Sequence, residues 1–244
     1  MIRLLEEVLL TAWPAIQTVW LDGWVLRFAN GYTKRSNSVN PLYPSTQEPI
    51  GKIEESEGLY RKQGLKSVFK ITPASQPADL DAILATRGYQ VDSCTSAQLL
   101  DLDQWYGTVD PEVVLSEKMT AEWLDAYCTM GRIESRYQAT LCQMMELMVP
   151  AKCLAVVRRE GQVVACGLGV RQGRFMGLFD IVVDEAVRRQ GYGRRLVESL
   201  LIWGKREGAH LSYLQVMVGN EPALKLYARL GFREEYRYWY RVKA

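Results

Sequence analysis

The chain of 244 residues carries 30 basic and 28 acidic side chains, so its net charge is close to zero. This balance excludes a global field that would draw the protein to nucleic acid or to an anionic membrane, and any bound anion must be held locally. The length allows one large core or two small domains. No apolar run is long enough for a membrane span, and the first residues do not resemble a secretory signal, which favours a soluble, cytoplasmic protein.

Cysteine and histidine usage argues against metal and disulfide chemistry. The five cysteines lack the close paired spacing of a zinc site, so we expect buried free thiols. The single histidine, His210, stands just before a predicted strand, and we expect it at the surface. We therefore predict no metal site, and proton transfer that relies on Tyr, Asp, Glu, Lys, Cys or water.

The first hundred residues alternate between strand and helix patterns. After a helical opening, residues 23–28 have a strand pattern, and Asn30-Gly31 predicts a hairpin turn into residues 32–39. The later helices are predicted over residues 53–63 and 78–86, and the later strands over residues 67–71 and 97–102. The polar stretch at 103–111 predicts a boundary between two domains, 1–105 and 106–244.

The second half begins with helical patterns between residues 116 and 148, whose methionines we expect in the core. Strands over residues 153–158, 163–170 and 175–183 are joined by short turns and imply an antiparallel meander. A helix (193–207), a strand (210–218), a helix (221–230) ended by Gly231 and a strand (236–242) follow. This order predicts a mixed α/β fold with a mostly antiparallel central sheet flanked by helices.

The connection between residues 175–183 and the next helix has the form Arg188-x-x-Gly191-x-Gly193. Its glycines let main-chain amides turn outward, and amides at a helix N-terminus favour an anion because the helix dipole lies behind them. Four arginines would add charge: Arg188, Arg189, Arg194 and Arg195. The loop lacks the features of a Walker A motif and of a dinucleotide fingerprint. It predicts a pyrophosphate site, or else only a tight strand-to-helix turn with solvated arginines.

This loop and a second segment together resemble the signature of the GNAT N-acetyltransferase superfamily. The second segment, from Asn220 to Phe232, reads Asn-Glu-Pro-Ala-Leu-Lys-Leu-Tyr-Ala-Arg-Leu-Gly-Phe. The resemblance covers the part of the chain from about Asp110 to the C-terminus. It implies the GNAT fold and an enzyme that uses acetyl-coenzyme A (acetyl-CoA).

The resemblance also implies roles for individual residues. The main chain of Ile181, Val182 and Val183 would bind the pantetheine arm of the cofactor. The loop would wrap the pyrophosphate with Arg188, Arg189, Gln190, Gly191, Tyr192, Gly193 and Arg194. Asn220 and Tyr227 would contact the cofactor as well, and Tyr227 would protonate the departing thiolate after direct attack by an amine. Alternatively, Tyr227 is only a core aromatic residue.

The sequence departs from the family pattern at Gln215. In relatives that act on protein N-termini, this position is often a glutamate proposed as the general base. Asp180 is a candidate replacement, and a water chain is the alternative. A weak base suits an α-amine with a pKa of about 7.8 better than a lysine amine with a pKa of about 10.4, since more of the α-amine is neutral at pH 7.

The first half looks like a degenerate copy of the second, which makes the chain a tandem GNAT protein. Placing Gly88-Tyr89 over Gly231-Phe232 also aligns the preceding helices and strands. In this alignment Leu84 stands where Tyr227 is, so the copy lacks the parts for catalysis. A polar cluster in the first half would contact an anionic substrate or lie in a solvated hairpin: Lys34, Arg35, Ser36 and Asn37.

These patterns predict an N-acetyltransferase that moves acetyl from acetyl-CoA to a primary amine of a small molecule or to a peptide α-amine. The alternative is a catalytically weak module that binds or senses acyl-CoA, because the expected glutamate is absent at Gln215. Nucleic acid is disfavoured as a partner because the basic residues are dispersed. We expect no membrane partner, and either a monomer or a homodimer.

Overall fold

The computed structural model describes residues 1–108 and 110–243, which form two compact units. Unit 1 contains Met1–Ser96, Ala139–Leu147 and the C-terminal residues from Glu235 onward. Unit 2 contains Ala97–Gln138 and Met148–Glu234. The functional division at residue 105 stays a prediction.

Helices and strands alternate along the described residues, and the predicted mixed α/β class is confirmed. The helices are α1 (Ile2–Ala12), α2 (Pro49–Lys62), α3 (Leu80–Thr86), α4 (Ala121–Met130), α5 (Gln138–Glu146), α6 (Tyr192–Arg206) and α7 (Glu221–Leu230). The strands are β1 (Gln17–Leu21), β2 (Trp24–Phe28), β3 (Val39–Pro41), β4 (Ser67–Ile71), β5 (Gln90–Asp101), β6 (Val113–Ser116), β7 (Ala151–Arg159), β8 (Gln162–Gln172), β9 (Phe175–Val183), β10 (Leu211–Met217) and β11 (Arg233–Lys243).

The sheet of unit 2 has the strand order β5, β10, β9, β8, β7, β6. Strands β6 to β9 form an antiparallel meander, as the hairpin signals predicted for β7 to β9, while β9 and β10 run parallel. On one side, which we call the α6 face, Met176 packs in a core with Leu196 of α6 and Ala155 of β7. The side chain of Leu154 alternates with that of Ala155 along β7, and it lies beside Trp123 of α4. We call this second side the α4 face.

Capping residues fix where the helices of unit 2 begin. The Thr120 hydroxyl accepts a hydrogen bond from the Trp123 N–H at 3.1 Å at the start of α4. The Asn220 side chain caps α7, and Pro222 in its first turn needs no hydrogen-bond acceptor. Both starts follow from residue types that satisfy, or do without, the free N–H groups of a first turn.

The sheet of unit 1 has the strand order β1, β2, β3, β4, β11, β5. Its core holds Trp24 and Tyr89 edge-on to Phe69, with ring centroids 5.6 and 5.4 Å away. Unit 1 also buries the Glu6–Lys70 ion pair, whose atoms are 2.6 Å apart. Such a pair is tolerated because each charge compensates the other.

Helices α3 and α7 end in the same way. Gly88 and Gly231 have φ angles of 85° and 98°, in the left-handed region that favours glycine. In each helix the next N–H donates to the carbonyl five residues earlier: Tyr89 to Leu84, and Phe232 to Tyr227. The alignment made from the sequence therefore extends to the hydrogen bonds of the two helix ends.

Several expectations about single elements are wrong. Residues 32–39 do not form one strand; they contain a 3-10 turn (Lys34–Ser36) and reach β3 only at Val39. The cluster at 34–37 is not a solvated hairpin, because Asn37 is buried and its carboxamide oxygen accepts from the N–H groups of Ala29 and Gly31. Strands β1 and β6 were not predicted. Their side chains are mostly exposed or half-buried, so neither has a clear alternating pattern.

Expectations about single side chains are confirmed for His210 and the methionines and only in part for the cysteines. His210 is exposed, with Nδ1 3.0 Å from the Asp103 carboxylate, and the methionines at 144, 145 and 148 are buried. Three cysteines are buried free thiols, whereas Cys94 is exposed and Cys142 is half-buried, which corrects the expectation for these two. Among the described residues, no helix combines the length and the apolar character needed to cross a bilayer.

Candidate active site

The parallel strands β9 and β10 of unit 2 pair over only part of their length. Within the described residues, their register runs from Leu211 opposite Phe175 to Leu214 opposite Leu178. Both strands then continue, β9 to Val183 and β10 to Met217. Beyond the last pair their facing N–H and C=O groups are not used in a ladder between the two strands. This opening between β9 and β10 leaves main-chain groups available to a ligand.

An irregularity in β9 lies just past the last pair. On the β8 side, Phe179 is opposite Leu168 and Val182 is opposite Cys166, so Asp180 and Ile181 together face one residue of β8. Asp180 has a φ of 52°. Two residues opposite one define a β-bulge, which bends the strand and increases its twist. The bulge therefore accompanies the separation of β9 from β10.

The three residues predicted to bind the pantetheine arm follow this bulge. Ile181, Val182 and Val183 are all partly exposed. The side chains of Ile181 and Val183 pack against the core of the α6 face, and Val182 is paired with Cys166. Their main chain borders the opening, as a strand that binds an extended ligand requires. Their role in binding stays a prediction.

A short turn connects β9 to α6. The Asp184 carboxylate accepts from the Ala186 N–H at 2.8 Å and caps the 3-10 turn Glu185–Val187. Arg189 and Gly191 have φ angles of 65° and 91°, and Gly191 is the N-cap of α6. The first N–H groups of a helix have no acceptor within it, so α6 presents them at this turn together with the positive end of its dipole.

Gly193 lies in the first turn of α6, near the end of β9 and near α7. A Cβ atom there would make ordinary van der Waals contacts, 3.4 Å from Val183 and 3.5 Å from Leu226, so space alone does not require glycine. Gly191 differs, because a Cβ atom there would meet no described atom within 4 Å. Its left-handed backbone is what favours glycine at that position.

The arginines of the loop are less free than the sequence indicated. Arg195 forms ion pairs with Asp110 and Glu112, so its charge is compensated, contrary to expectation. Arg188 lies 3.3 Å from Glu185, and Arg194 lies 2.9 Å from Glu198. Among the described residues only Arg189 of these four has no ion-pair partner. The turn therefore offers main-chain amides more than free side-chain charge.

The remaining loop residues are also accounted for. Gln190 is exposed, and its Oε1 accepts from Arg159 at 3.2 Å. Tyr192 is partly buried, packs against the α6-face core, and has the Arg195 guanidinium over its ring, 5.4 Å from the ring centroid. The turn is thus a structured element rather than a loose connection.

The two predicted site residues near α7, Asn220 at its N-cap and Tyr227 within it, differ in their exposure to solvent. Asn220 is exposed, and its Oδ1 accepts from the Ala223 N–H at 3.3 Å, which leaves its Nδ2 group for a ligand. Tyr227 is 7% exposed and packs edge-on to Phe232, with ring centroids 5.8 Å apart. Burial raises the pKa of Tyr227 to about 12, so its hydroxyl is protonated at neutral pH. Tyr227 is a core aromatic residue by its packing, and the acid role stays a prediction.

The candidate base and its alternative lie on the strands that border the opening. Asp180 is the bulge residue of β9, and its carboxylate lies near Cys166, whose thiol pKa is raised by burial and by this negative charge. Gln215 is the first residue of β10 past the last pair with β9. Both carboxamide atoms of Gln215 are buried and form no hydrogen bond with the described residues.

Tyr213 is a polar residue of this region that the sequence analysis missed. It is 3% exposed, and its hydroxyl is buried without a hydrogen-bond partner among the described residues. A Cβ atom at Gly177 would lie 2.6 Å from this hydroxyl, so the glycine makes room for the phenol. A tyrosine in an apolar strand predicts a core residue, and no signal in the sequence distinguishes it.

The residues at the opening fit an acyl-CoA. Outward amides at Gly191, an uncapped helix start and unpaired strand edges match the diphosphate and the amide-rich arm of such a molecule. An acetyltransferase from Kribbella flavida, described as GCN5-related, has the same fold over 99% of this chain and 95% of its own, with a TM-score of 0.73 at 14% identity. The fold is therefore that of the GNAT acetyltransferases.

A family model described as "Probable histone acetyltransferase Rv0428c C-terminal" matches residues 1–241, and the chain belongs to this family. It is 30% identical over 247 aligned positions to "Uncharacterized N-acetyltransferase YobR" of Bacillus subtilis, with 99% of this chain and 98% of that protein covered. It is also 42% identical over 57 residues to the "[Ribosomal protein bS18]-alanine N-acetyltransferase" of Escherichia coli, a match that covers 23% of this chain and 38% of that protein. The protein is an acetyltransferase of the GNAT superfamily and uses acetyl-CoA.

Proposed function

We propose that unit 2 transfers acetyl from acetyl-CoA to the α-amine of a peptide or to another primary amine of low pKa. The observation that carries the proposal is the opening between β9 and β10, which has the amide-bearing start of α6 beside it and Tyr227 in the adjoining core. Bound acetyl-CoA supplies a thioester whose acetyl group the amine attacks directly. No covalent intermediate with the enzyme is needed.

The chain's own residues would hold the cofactor with neutral groups more than with charge. The amides from Arg188 to Arg194 bind its diphosphate, and Arg189 adds a guanidinium that has no ion-pair partner among the described residues. The main chain of Ile181, Val182 and Val183 binds the arm, and Asn220 contributes its free Nδ2. Hydrogen bonds from N–H groups to a charged oxygen contribute about 1.5–3 kcal/mol each, enough for micromolar affinity from a few of them.

Tyr227 would act as the general acid at the departing sulfur. Its hydroxyl forms no hydrogen bond with the described residues, so its proton is not committed to another acceptor. Its pKa of about 12 keeps it neutral at every working pH, and its donation depends on being close to the thiolate. Its membership of the α6-face core supports approach to the opening from that side.

Removal of the proton from the amine has two candidates. Asp180 would accept it directly from the bulge of β9, or a water chain would carry it away. Gln215 has no basic form, so it is not a base. The lack of a carboxylate at Gln215 also supports the second candidate function, a catalytically weak module that binds or senses acyl-CoA.

The proposed acceptor class leads to a rate difference between amines. A peptide with a free α-amine and no lysine should have a kcat/KM about 10²-fold above that of an N-terminally blocked peptide with one lysine at pH 7, because far more of the α-amine is neutral. The difference should shrink as pH rises from 7 to 9.5, since the neutral fraction of the lysine amine then rises far more than that of the α-amine. Thiol release with both peptides measures it.

Faster acetylation of the lysine peptide at pH 7 would refute this acceptor class. The bS18 alanine enzyme that matches part of the chain acts on a protein alanine, which supports a peptide acceptor. A chain that binds coenzyme A but turns over neither peptide nor any amine in a broader screen would instead support the sensing module.

We also infer that unit 1 is a degenerate copy without a cofactor site, and that the functional boundary lies near residue 105. In the sequence alignment of the two halves, Thr46 and Gln47 stand where Arg189 and Gln190 do. The N–H groups of both donate to the Asp22 carboxylate at 2.8 Å. These bonds, with that of Gln47 the strongest influence, hold the pKa of Asp22 below its usual value. A carboxylate of the chain thus occupies the amides that would bind a diphosphate.

A further inference from the structure

Strand β10 carries two polar side chains on the α4 face that the acetyl-transfer chemistry does not use. Tyr213 and Gln215 are two residues apart, so they point to the same side of the sheet. The Tyr213 hydroxyl and both polar atoms of Gln215 are buried and form no hydrogen bond with residues 1–108 and 110–243. Leu214 and Val216, the alternate residues, belong to the core on the α6 face.

Leaving such groups without a partner is costly. A buried donor or acceptor without a hydrogen bond has lost its water and gained no partner in return, and three such atoms occur within three residues here. Apolar side chains of the same shape at positions 213 and 215 would not carry this cost. The two polar side chains therefore call for a functional explanation. No described residue supplies the partner, which points to a bound ligand.

The position of Gln215 indicates which molecule the partner belongs to. Gln215 is the first residue beyond the last β9–β10 pair, so it lies where the two strands begin to separate. Tyr227 belongs to the core on the opposite side of the sheet. With the thioester held in the opening and Tyr227 on the α6 face, an amine that attacks from the other side arrives on the α4 face, beside Gln215.

The chemistry of the two side chains specifies a neutral ligand. A carboxamide offers one acceptor and two donors and carries no charge at any pH. A phenol offers one donor and one acceptor. Charged ligands are excluded as the matched partner, because neither side chain supplies the opposite charge that a buried ion needs. An extended peptide is a natural complement of a carboxamide, because the N–H and C=O of one of its residues point to the same side and offer one donor and one acceptor.

We propose that Gln215 binds the first peptide group of the acceptor, with Tyr213 as the second polar side chain on the same face of β10. This contact selects α-amines of peptides over simple amines. In a peptide this group lies two bonds from the attacking nitrogen, so both reach the apex of the opening together. Gln215 Oε1 accepts from the N–H of this first peptide group, and Nε2 donates to the carbonyl of the acceptor's second residue, which points to the same side in an extended peptide. The proposal rests on the proposed function for the acceptor class and adds the residue that reads it.

The test pairs a change in the enzyme with a change in the substrate. The variant Gln215→Met keeps the length of the side chain and removes its polar atoms. The substrate change replaces the first peptide N–H of a lysine-free peptide by an ester oxygen. For the wild type, the ester should raise KM by about tenfold, the effect of one lost buried hydrogen bond. For Gln215→Met, KM for the peptide should be raised and the ester should cause no further change.

A matched control comes from the other end of the same sheet. Gln172 of β8 also has a buried Oε1 without a partner among the described residues, but it is paired with Phe175 at the hairpin turn, away from the opening. Gln172→Met should leave both KM values and the ester effect unchanged. Calorimetric affinity for coenzyme A should equal that of the wild type in both variants, which verifies their folding without a turnover measurement.

The outcomes separate this inference from the proposed function. An ester effect that persists in Gln215→Met, or that is absent from the wild type while peptides remain good acceptors, overturns the role of Gln215 and leaves the acceptor class intact. Preference for lysine peptides overturns the acceptor class and this inference with it, whereas preference for simple amines of low pKa over peptides overturns this inference alone. Loss of the ester effect in Gln215→Met alone supports both.

Discussion

The variant Tyr227→Phe should lower kcat by about 10²-fold and leave the affinity for coenzyme A unchanged. The reduction follows from removing a positioned general acid, and contributions of such groups fall between about 10²- and 10⁴-fold. The affinity is preserved because the ring remains edge-on to Phe232 and the hydroxyl forms no hydrogen bond with the described residues. The measurement combines steady-state thiol release with calorimetry on the same preparation.

Two controls accompany this variant. Tyr238→Phe removes a buried phenol of unit 1 and should leave kcat unchanged. Because burial raises the pKa of Tyr227 to about 12, its ionisation should cause no fall in kcat at any pH below about 10. An unchanged kcat for Tyr227→Phe would contradict the acid role and favour the interpretation of Tyr227 as a core residue only.

The variant Gly191→Val should weaken the binding of coenzyme A by about 10- to 100-fold, the effect of losing one or two hydrogen bonds to a charged oxygen. The cause is conformational, since a Cβ atom at this position meets no described atom within 4 Å. At a φ of 91° a β-branched residue is strained, so the backbone of the turn shifts. The main-chain N–H groups of the turn then no longer point at the diphosphate. Titration of coenzyme A into the variant measures the change.

Gly161→Val is the matched control for this change. Gly161 has a φ of 82° in the turn between β7 and β8, and a Cβ atom there also meets no described atom within 4 Å. Both variants should lose a similar free energy of unfolding, on the order of 1–3 kcal/mol. Only Gly191→Val should lose affinity for coenzyme A. Equal affinities in the two variants would mean that the conformation of Gly191 does not matter to the cofactor.

Local signals were sufficient for the elements that build the site. β9 and α7 begin and end at the predicted residues, and α6 and β10 lie within one residue of them. Each is bounded by a residue whose chemistry acts locally: Gly191 starts α6, Asn220 caps α7 and Gly231 ends it. A helix cap depends on a few neighbouring residues, so it can be predicted from the sequence.

The features that a ligand would meet depend instead on pairing between distant strands. That β9 and β10 separate after Leu178 and Leu214 is a property of register, which no local pattern of either strand contains. The bulge at Asp180 appears only when β9 is paired with β8. The ion pairs of Arg195 with Asp110 and Glu112 join residues far apart in the chain, so no local pattern shows that the charge of Arg195 is compensated.

The make-up of unit 1 is non-local for the same reason. The segment Ala139–Leu147 and the end of the chain belong to it, although both follow the boundary expected from composition. The Asp22 carboxylate bonds to amides more than twenty positions later in the chain. A polar residue in a turn gives no indication of such a partner, and only the folded chain identifies it.

The proposed function depends on main-chain N–H groups between Arg188 and Arg194 that donate hydrogen bonds to the diphosphate of acetyl-CoA. Calorimetry of the wild-type chain with coenzyme A, and with pantetheine, which lacks the diphosphate, measures this directly. We expect one coenzyme A per chain, since Asp22 fills the corresponding turn of unit 1, and an affinity for pantetheine at least about 100-fold weaker. Equal affinities for the two molecules, or no binding of coenzyme A, would contradict the claim.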